Sequence, residues 1–134
     1  MTLKNICNEF TARYSYFSLF SEDNPKLSKN AKALIEDVDN NCLISIASLW
    51  EIAIKVSLSK LKIKIEFNNL IDEINKQNFT VLPVSFEHIA ELLNLEFHHR
   101  DPFDRLLAAQ SVTEDLTLIS SDDIFDKYKV KRVW

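Results

Sequence analysis

The feature that most constrains this chain is an alternation of hydrophobic period. From Pro25 onward, short apolar runs give way to stretches with helical spacing, and the pattern repeats to the C-terminus. "CLISIA" (42–47) is a β-branched run that predicts a buried strand. "SLWEIAIKVSLSKL" (48–61) follows at once as an amphipathic helix. "LSKNAKALIEDV" (27–38) has Leu27, Ala31, Leu34, Ile35 and Val38 at helical spacing, and "FNNLIDEINKQ" (67–77) is another helix. "TVLPV" (80–84) is a strand stopped by Pro83, and "SFEHIAELLNL" (85–95) a helix with Ser85 as its N-cap. "DPFDRLLAAQSVTED" (101–115) is helical, while "LTLIS" (116–120) and "YKVKRVW" (128–134) are strands. Such alternation implies βαβ units, hence an α/β fold: a three-layer α/β/α domain with a central parallel sheet. The ligand crevice of such a sheet lies outside the carboxyl ends of its strands. The first twenty residues fit the pattern poorly.

Length and composition narrow the classes. A chain of 134 residues predicts one domain, spanning 1–134, with a sizeable core. No apolar run is long enough to cross a bilayer, and "MTLKNICNEF" does not read as a secretory signal. Cys7 and Cys42 are too few for a disulfide scaffold, so a cytoplasmic protein with reduced thiols is expected. The net charge of −4 excludes a protein that grips nucleic acid through phosphates alone. Any such contact should be local and metal-assisted, and the acidity leaves room for a basic partner segment. The chain has no glycine, so positive backbone φ must fall to other residues. Asn24, Asn40, Asn41, Asn68, Asn69 and Asn78 sit where turns are expected.

Three places that open a helix or follow a strand carry acids: "SLWE" (48–51), "DPFD" (101–104) and "SSDD" (120–123). Each has a purely structural explanation. Ser48 and Glu51 have capping-box spacing, as do Ser120 and Asp123. Asp101 is a good N-cap, Pro102 suits the first helical position, and Asp104 favours the positive helix end. Taken together they read differently, because a parallel sheet would bring all three to one crevice. Crowded carboxylates repel one another and take up protons, a conflict that a divalent cation removes. Oxygen ligands without a His/Cys pattern suit Mg²⁺ or Mn²⁺, and such a site suits phosphodiester cleavage.

The segments "SLWEIAIKVSLSKL", "HHRDPFDRLLAAQ" and "LTLISSDDIFDKYKVKRVW" resemble the PIN-domain family, in particular VapC-type ribonuclease toxins, over residues 21–134. The resemblance implies a Mg²⁺- or Mn²⁺-dependent endoribonuclease of a toxin–antitoxin pair. It places the second-motif acid at Glu51, the third at Asp104 and the fourth at Asp122, with Asp101 an extra member of the third motif. Ser120 occupies the place of a hydroxyl residue frequent in the family. A homodimer and a small antitoxin, blocking the acidic crevice with a basic side chain, are implied as partners besides RNA.

One family element is missing. The first family strand ends in a Leu-Asp-Thr-His type segment, but this chain has "NEFTARYSYFSLF" (8–20), with no Asp before Asp23 and only Glu9 nearby. Residues 12–18 can be encoded GCT-AGA-TAC-TCA-TAC-TTT-TCT; one base later the reading begins Leu-Asp-Thr-His-Thr-Phe. A one-base loss near Leu19 therefore accounts for the segment; a divergent first strand and helix is the other account. Without the first acid, the rival reading is a catalytically impaired PIN-fold module that keeps its antitoxin or dimer contacts. A response-regulator-like acidic pocket is a third, disfavoured by the spacing of "DPFDRLLAAQ" to "SSDD".

Other residues carry weaker signals. Arg100 and Arg105 flank the acids and are candidates for phosphate contact or for salt bridges. His98 and His99 lack zinc spacing. Lys55, Lys60, Lys62 and Lys64 read as a solvated face, Trp50 as a core or interface anchor, and Trp134 as a closure of the sheet edge.

Overall fold

The computed structural model describes residues 4–7 and 28–134. Five strands form one sheet in the order β3-β2-β1-β4-β5, and every neighbouring pair is parallel. They are β1 (Lys4–Cys7), β2 (Asn41–Ser45), β3 (Phe79–Leu82), β4 (Thr117–Ile119) and β5 (Lys131–Val133). The helices are α1 (Lys29–Glu36), α2 (Ile46–Ser57), α3 (Leu70–Lys76), α4 (Phe86–Glu91) and α5 (Pro102–Thr113), with 3₁₀ turns at Phe67–Asn69 and Asp123–Lys127. The α/β architecture with a central parallel sheet is as predicted.

The layers follow from side chains alternating across each strand. Cys42 and Ile44 of β2 and Ile119 of β4 face Ala31 of α1, Leu49 and Ile52 of α2, and Leu70 and Ile74 of α3. Leu43 and Leu118, from the same two strands, face the other way, onto Leu107 and Ala108 of α5 together with Phe125 and Tyr128. Trp134 packs half-buried against the first of these cores.

Three local expectations are corrected. The central strand β1 is Lys4–Cys7, in the stretch that matched no period. Residues 8–20, with the proposed frame change and Glu9, lie outside the described residues. Next, α2 starts at Ile46, because Ser45 ends β2 and its hydroxyl accepts from the Ala47 N–H at 3.1 Å. Ser48 is therefore inside the helix, its buried hydroxyl has no hydrogen-bond partner among the described residues, and the Ser48–Glu51 capping box does not form.

The last correction concerns positive φ, which occurs among the described residues at Ser59 (56°), Asn78 (62°) and Asp115 (51°). Each directly follows the C-cap of a helix: Leu58 of α2, Gln77 of α3 and Glu114 of α5. This is the left-handed position that glycine usually fills. Lys60 N–H donates to the Lys55 carbonyl at 2.8 Å, and Leu116 N–H to that of Ser111 at 2.9 Å, closing two of these ends. Only one of the three is an asparagine; what fixes the positions is helix termination. Replacing Ser59 by glycine should relieve the Cβ clash and raise stability by about 0.5–1 kcal/mol. A urea midpoint that stays the same or falls in Ser59→Gly would count against this reading of the helix end.

Candidate active site

Strand order fixes where the crevice opens. The chain runs outward from β1 to β3 on one side and from β4 to β5 on the other, so the switch point falls between β1 and β4. Cys7 is in register with Ile44 and Ile119. Ser45 and Ser120, one residue further along, flank the carboxyl end of β1, and both are buried.

From Ser120 the chain builds a ladder of side-chain acceptors. The Ser120 hydroxyl accepts from Asp122 N–H at 3.1 Å, and Asp122 Oδ1 accepts from Ile124 N–H at 3.0 Å, opening the 3₁₀ turn. These bonds replace the expected Ser120–Asp123 capping box. Arg132 on β5 ties the loop at both ends. Its Nη1 donates to the Ser120 carbonyl at 3.0 Å, and its Nε and Nη2 meet the Asp126 carboxylate at 2.7 and 2.8 Å. That bidentate pair holds the Asp126 carboxyl below the ordinary aspartate range. Sequence reading missed Arg132, which carries no local signal: its partners become neighbours only when β5 pairs with β4.

The start of α5 is as predicted. Asp101 is the N-cap, its Oδ1 accepting from Phe103 N–H at 2.9 Å and Asp104 N–H at 3.1 Å, and Pro102 takes the first helical position. Asp104, in the first turn, is 17% exposed at its side chain, and its Oδ2 lies 3.2 Å from His99 Nε2. Its carboxyl is pushed up to about 6, first by burial, then by the charge of Asp101 and least by that of Asp122, against the opposing pull of His99. Asp101, Asp104 and Asp122 thus share one electrostatic neighbourhood.

Glu51 does not join them in the same way. Its carboxylate is 2.7 Å from Lys55 Nζ, one turn along α2. The two helix starts do meet, since the rings of Trp50 and Phe103 stand edge to face at 5.2 Å. Trp50 is 62% exposed, so it is not a core anchor. Lys55 sits in this ion pair, whereas Lys60, Lys62 and Lys64 form the expected exposed face.

The two arginines part company. Arg100 is exposed beside Asp101. Arg105 is buried, and its guanidinium donates to the carbonyls of Glu96 (2.8 Å), Leu92 and Leu95 (both 3.4 Å) and to the Tyr128 hydroxyl (3.3 Å). It also lies 3.9 Å from the centroid of the Phe97 ring. The phosphate or salt-bridge role expected of Arg105 is corrected: the side chain points inward and holds the 92–97 loop. The adjacent histidines divide between two tasks. His98 packs edge-on to the Tyr128 ring at 4.8 Å, and His99 Nδ1 lies 2.7 Å from the Tyr128 hydroxyl.

The PIN-domain family profile matches residues 15–131. The chain belongs to the PIN-domain family. The match begins after β1, so it does not cover the strand that precedes the family's first motif. Among solved structures, the PIN chain shares its fold with VapBC2 from Rickettsia felis, determined bound to a DNA fragment from their promoter. That likeness has a TM-score of 0.66 at 16% identity, over 98% of each chain. It also resembles VapBC-5 from Mycobacterium tuberculosis, a member of the VapBC family of toxin–antitoxin systems. There the TM-score is 0.60 at 17% identity, over 97% of this chain and 98% of the other. No curated protein matches the sequence.

The family's divalent metal can be tested against these residues. Among the described residues no group of three or more His, Cys, Asp or Glu side chains stands ready to hold an ion. The donor chemistry nevertheless fits one. Asp104 and Asp122 are hard oxygen donors, and the proton affinity of Asp104 is raised first by burial, then by the charge of Asp101 and least by that of Asp122. Mg²⁺ is commonly held by one or two carboxylates, with water completing its shell.

Two predictions follow from this geometry. Between about pH 4 and pH 6 the folded protein holds a proton on Asp104 that the unfolded chain releases, so this group's contribution to stability is lost as pH rises through that window. The Asp104→Asn variant should therefore match the wild type near the lower end and exceed it in stability above the upper end. Urea midpoints measured across the window check this, and a gap that does not widen with pH would contradict it. Arg105→Lys keeps the charge but not the fork of donors, and should lose about 2–3 kcal/mol. A loss below about 0.5 kcal/mol, an ordinary surface effect, would show that the fork holds nothing.

Proposed function

We propose that this chain is a VapC-type toxin, a metal-dependent endoribonuclease that cleaves RNA phosphodiester bonds. The observation that carries the reading is Asp104, a largely covered carboxyl at the start of α5 lifted to about 6 by burial first, then by the charge of Asp101 and least by that of Asp122. Asp104 and Asp122 would hold Mg²⁺ or Mn²⁺, with Asp101 beside them. Glu51 would join when its ion pair with Lys55 opens. A bound dication neutralises phosphate charge and activates water. The residues then have separate tasks. Asp104 and Asp122 would supply the negative pole, the exposed Arg100 would meet a phosphate, and Ser120 would fix the backbone that carries Asp122. An antitoxin is the expected partner, as in the VapBC systems that share the fold, and a homodimer the expected assembly. No helix among the described residues is long and apolar enough to cross a membrane.

A second reading has its own observations: the first-motif Asp is absent from the sequence, and Glu51 is engaged by Lys55. On that reading the chain is an impaired PIN-fold module that retains its antitoxin contact. RNA cleavage titrated with Mg²⁺ and Mn²⁺ separates the two, using this chain, its Asp104→Asn variant, and a protein whose residues 12–18 are restored to the shifted frame. The restored protein should cleave, and Asp104→Asn within it should lose about a hundredfold or more. Equal metal-dependent rates in this chain and its Asp104→Asn variant would reject the site. Activity confined to the restored form would assign this chain to the impaired class.

A further inference from the structure

We propose that His99 is a positioning residue for Asp104: the chain Arg105–Tyr128–His99 fixes the imidazole as its Nε2–H tautomer and aims that N–H at Asp104 Oδ2. The inference rests on the metal-site reading of Asp104 for its purpose, but its geometry stands independently.

The direction of the chain follows from what each group can do. The Arg105 guanidinium has only donors, so the Tyr128 oxygen must accept the 3.3 Å bond from Nη1. The phenol's single hydrogen then needs an acceptor. Its other polar neighbour among the described residues is His99 Nδ1, at 2.7 Å. Tyr128 therefore donates to Nδ1. A neutral imidazole that accepts at Nδ1 carries its hydrogen on Nε2, and Nε2 is the atom 3.2 Å from Asp104 Oδ2. If His99 were the opposite tautomer, the Tyr128 oxygen would accept from both Nδ1–H and Arg105, stranding its own hydrogen among the described residues, and a bare Nε2 would face a carboxylate oxygen. The first arrangement wastes a donor and the second is repulsive.

The source of the chain is rigid. Arg105 and Tyr128 are each 6% exposed. Arg105 is held by three loop carbonyls, and the Tyr128 ring is packed edge-on by His98. The imidazole therefore has a fixed plane, and the carboxylate it meets has one oxygen committed. Among the described residues Oδ1 takes no hydrogen bond, which leaves it for a cation. Outer partners of this kind set ligand orientation at metal sites, and removing one typically weakens metal binding by about 10- to 100-fold.

The test uses the full chain. Ring ¹⁵N shifts of His99 in mildly alkaline, metal-free buffer should show the Nε2–H tautomer, and Tyr128→Phe should shift it to a mixture. Mn²⁺ affinity, read by paramagnetic broadening and by calorimetry, should fall about 10- to 100-fold in His99→Leu. It should return to within a few fold of wild type in His99→Gln, whose amide can donate at similar reach. Thermal melts identify any variant that fails to fold. If His99→Leu does fail, the tautomer in wild type and in Tyr128→Phe still decides. An Nδ1–H tautomer in wild type, an unchanged tautomer ratio in Tyr128→Phe, or equal Mn²⁺ affinity in wild type, His99→Leu and His99→Gln would overturn the proposal. A wild type that binds no Mn²⁺ would end the metal reading instead, with the tautomer measurements still judging the chain.

Discussion

Every strand of this sheet points the same way, and the rest of the structure depends on that constraint. Parallel pairing sends all carboxyl ends to one edge, and the helices that follow begin there. Helix starts expose backbone N–H groups without partners, so the edge needs acceptors. Ser45, Asp101 and Asp122 supply them to α2, α5 and the last 3₁₀ turn. Capping and ligation therefore make the same demand on the sequence at the same place. They also do not exclude each other: Asp101 and Asp122 each use Oδ1 on the backbone, and a carboxylate has a second oxygen.

Much of this was legible in the sequence. The period changes gave the order of strands and helices, and Asp101-Pro102 marked the start of α5. The family resemblance drawn from three separated segments matches the family assignment. What escaped had physical reasons. "KNIC" became the central strand although nothing in those four residues announces it, because its pairing comes from β2 on one side and β4 on the other. The N-cap of α2 is Ser45 and not Ser48, three residues earlier, because a serine that ends a strand and one that starts a helix look alike until the strand's length is known. Glu51 and Lys55 are four apart on a helical pattern, a spacing that invites an ion pair, and that signal was available but unused.

Arg105 shows where sequence reading has no purchase. It sits one residue beyond Asp104, in a segment rich in acids, and charge alone would pair it with them. One position around a helix is about a hundred degrees, enough to turn its side chain from the crevice to the interior. There the guanidinium meets carbonyls of the 92–97 loop that no local pattern connects to it. The acids thus keep their repulsion even though a cation lies next to them in sequence. Only the Tyr128–His99 relay carries its influence back, as orientation and not as charge.

That separation bears on Glu51. A site built for a dication must leave its carboxylates unneutralised by the protein's own cations, and among the described residues Asp104 is bonded to His99 and to no lysine or arginine. Glu51 does not meet that condition, since Lys55 already stands at 2.7 Å. The strength of that contact decides whether it is a barrier. Pairs spaced four apart on a helix contribute only about 0.3–0.5 kcal/mol when exposed, and where, as here, both side chains are largely covered, desolvation offsets part of the attraction. On the proposed reading a dication, attracted by Asp104 and Asp122 as well, would compete with a single ammonium on a flexible stem. The ion pair would then be a resting arrangement, and the remaining deficit the acid that the first motif lacks.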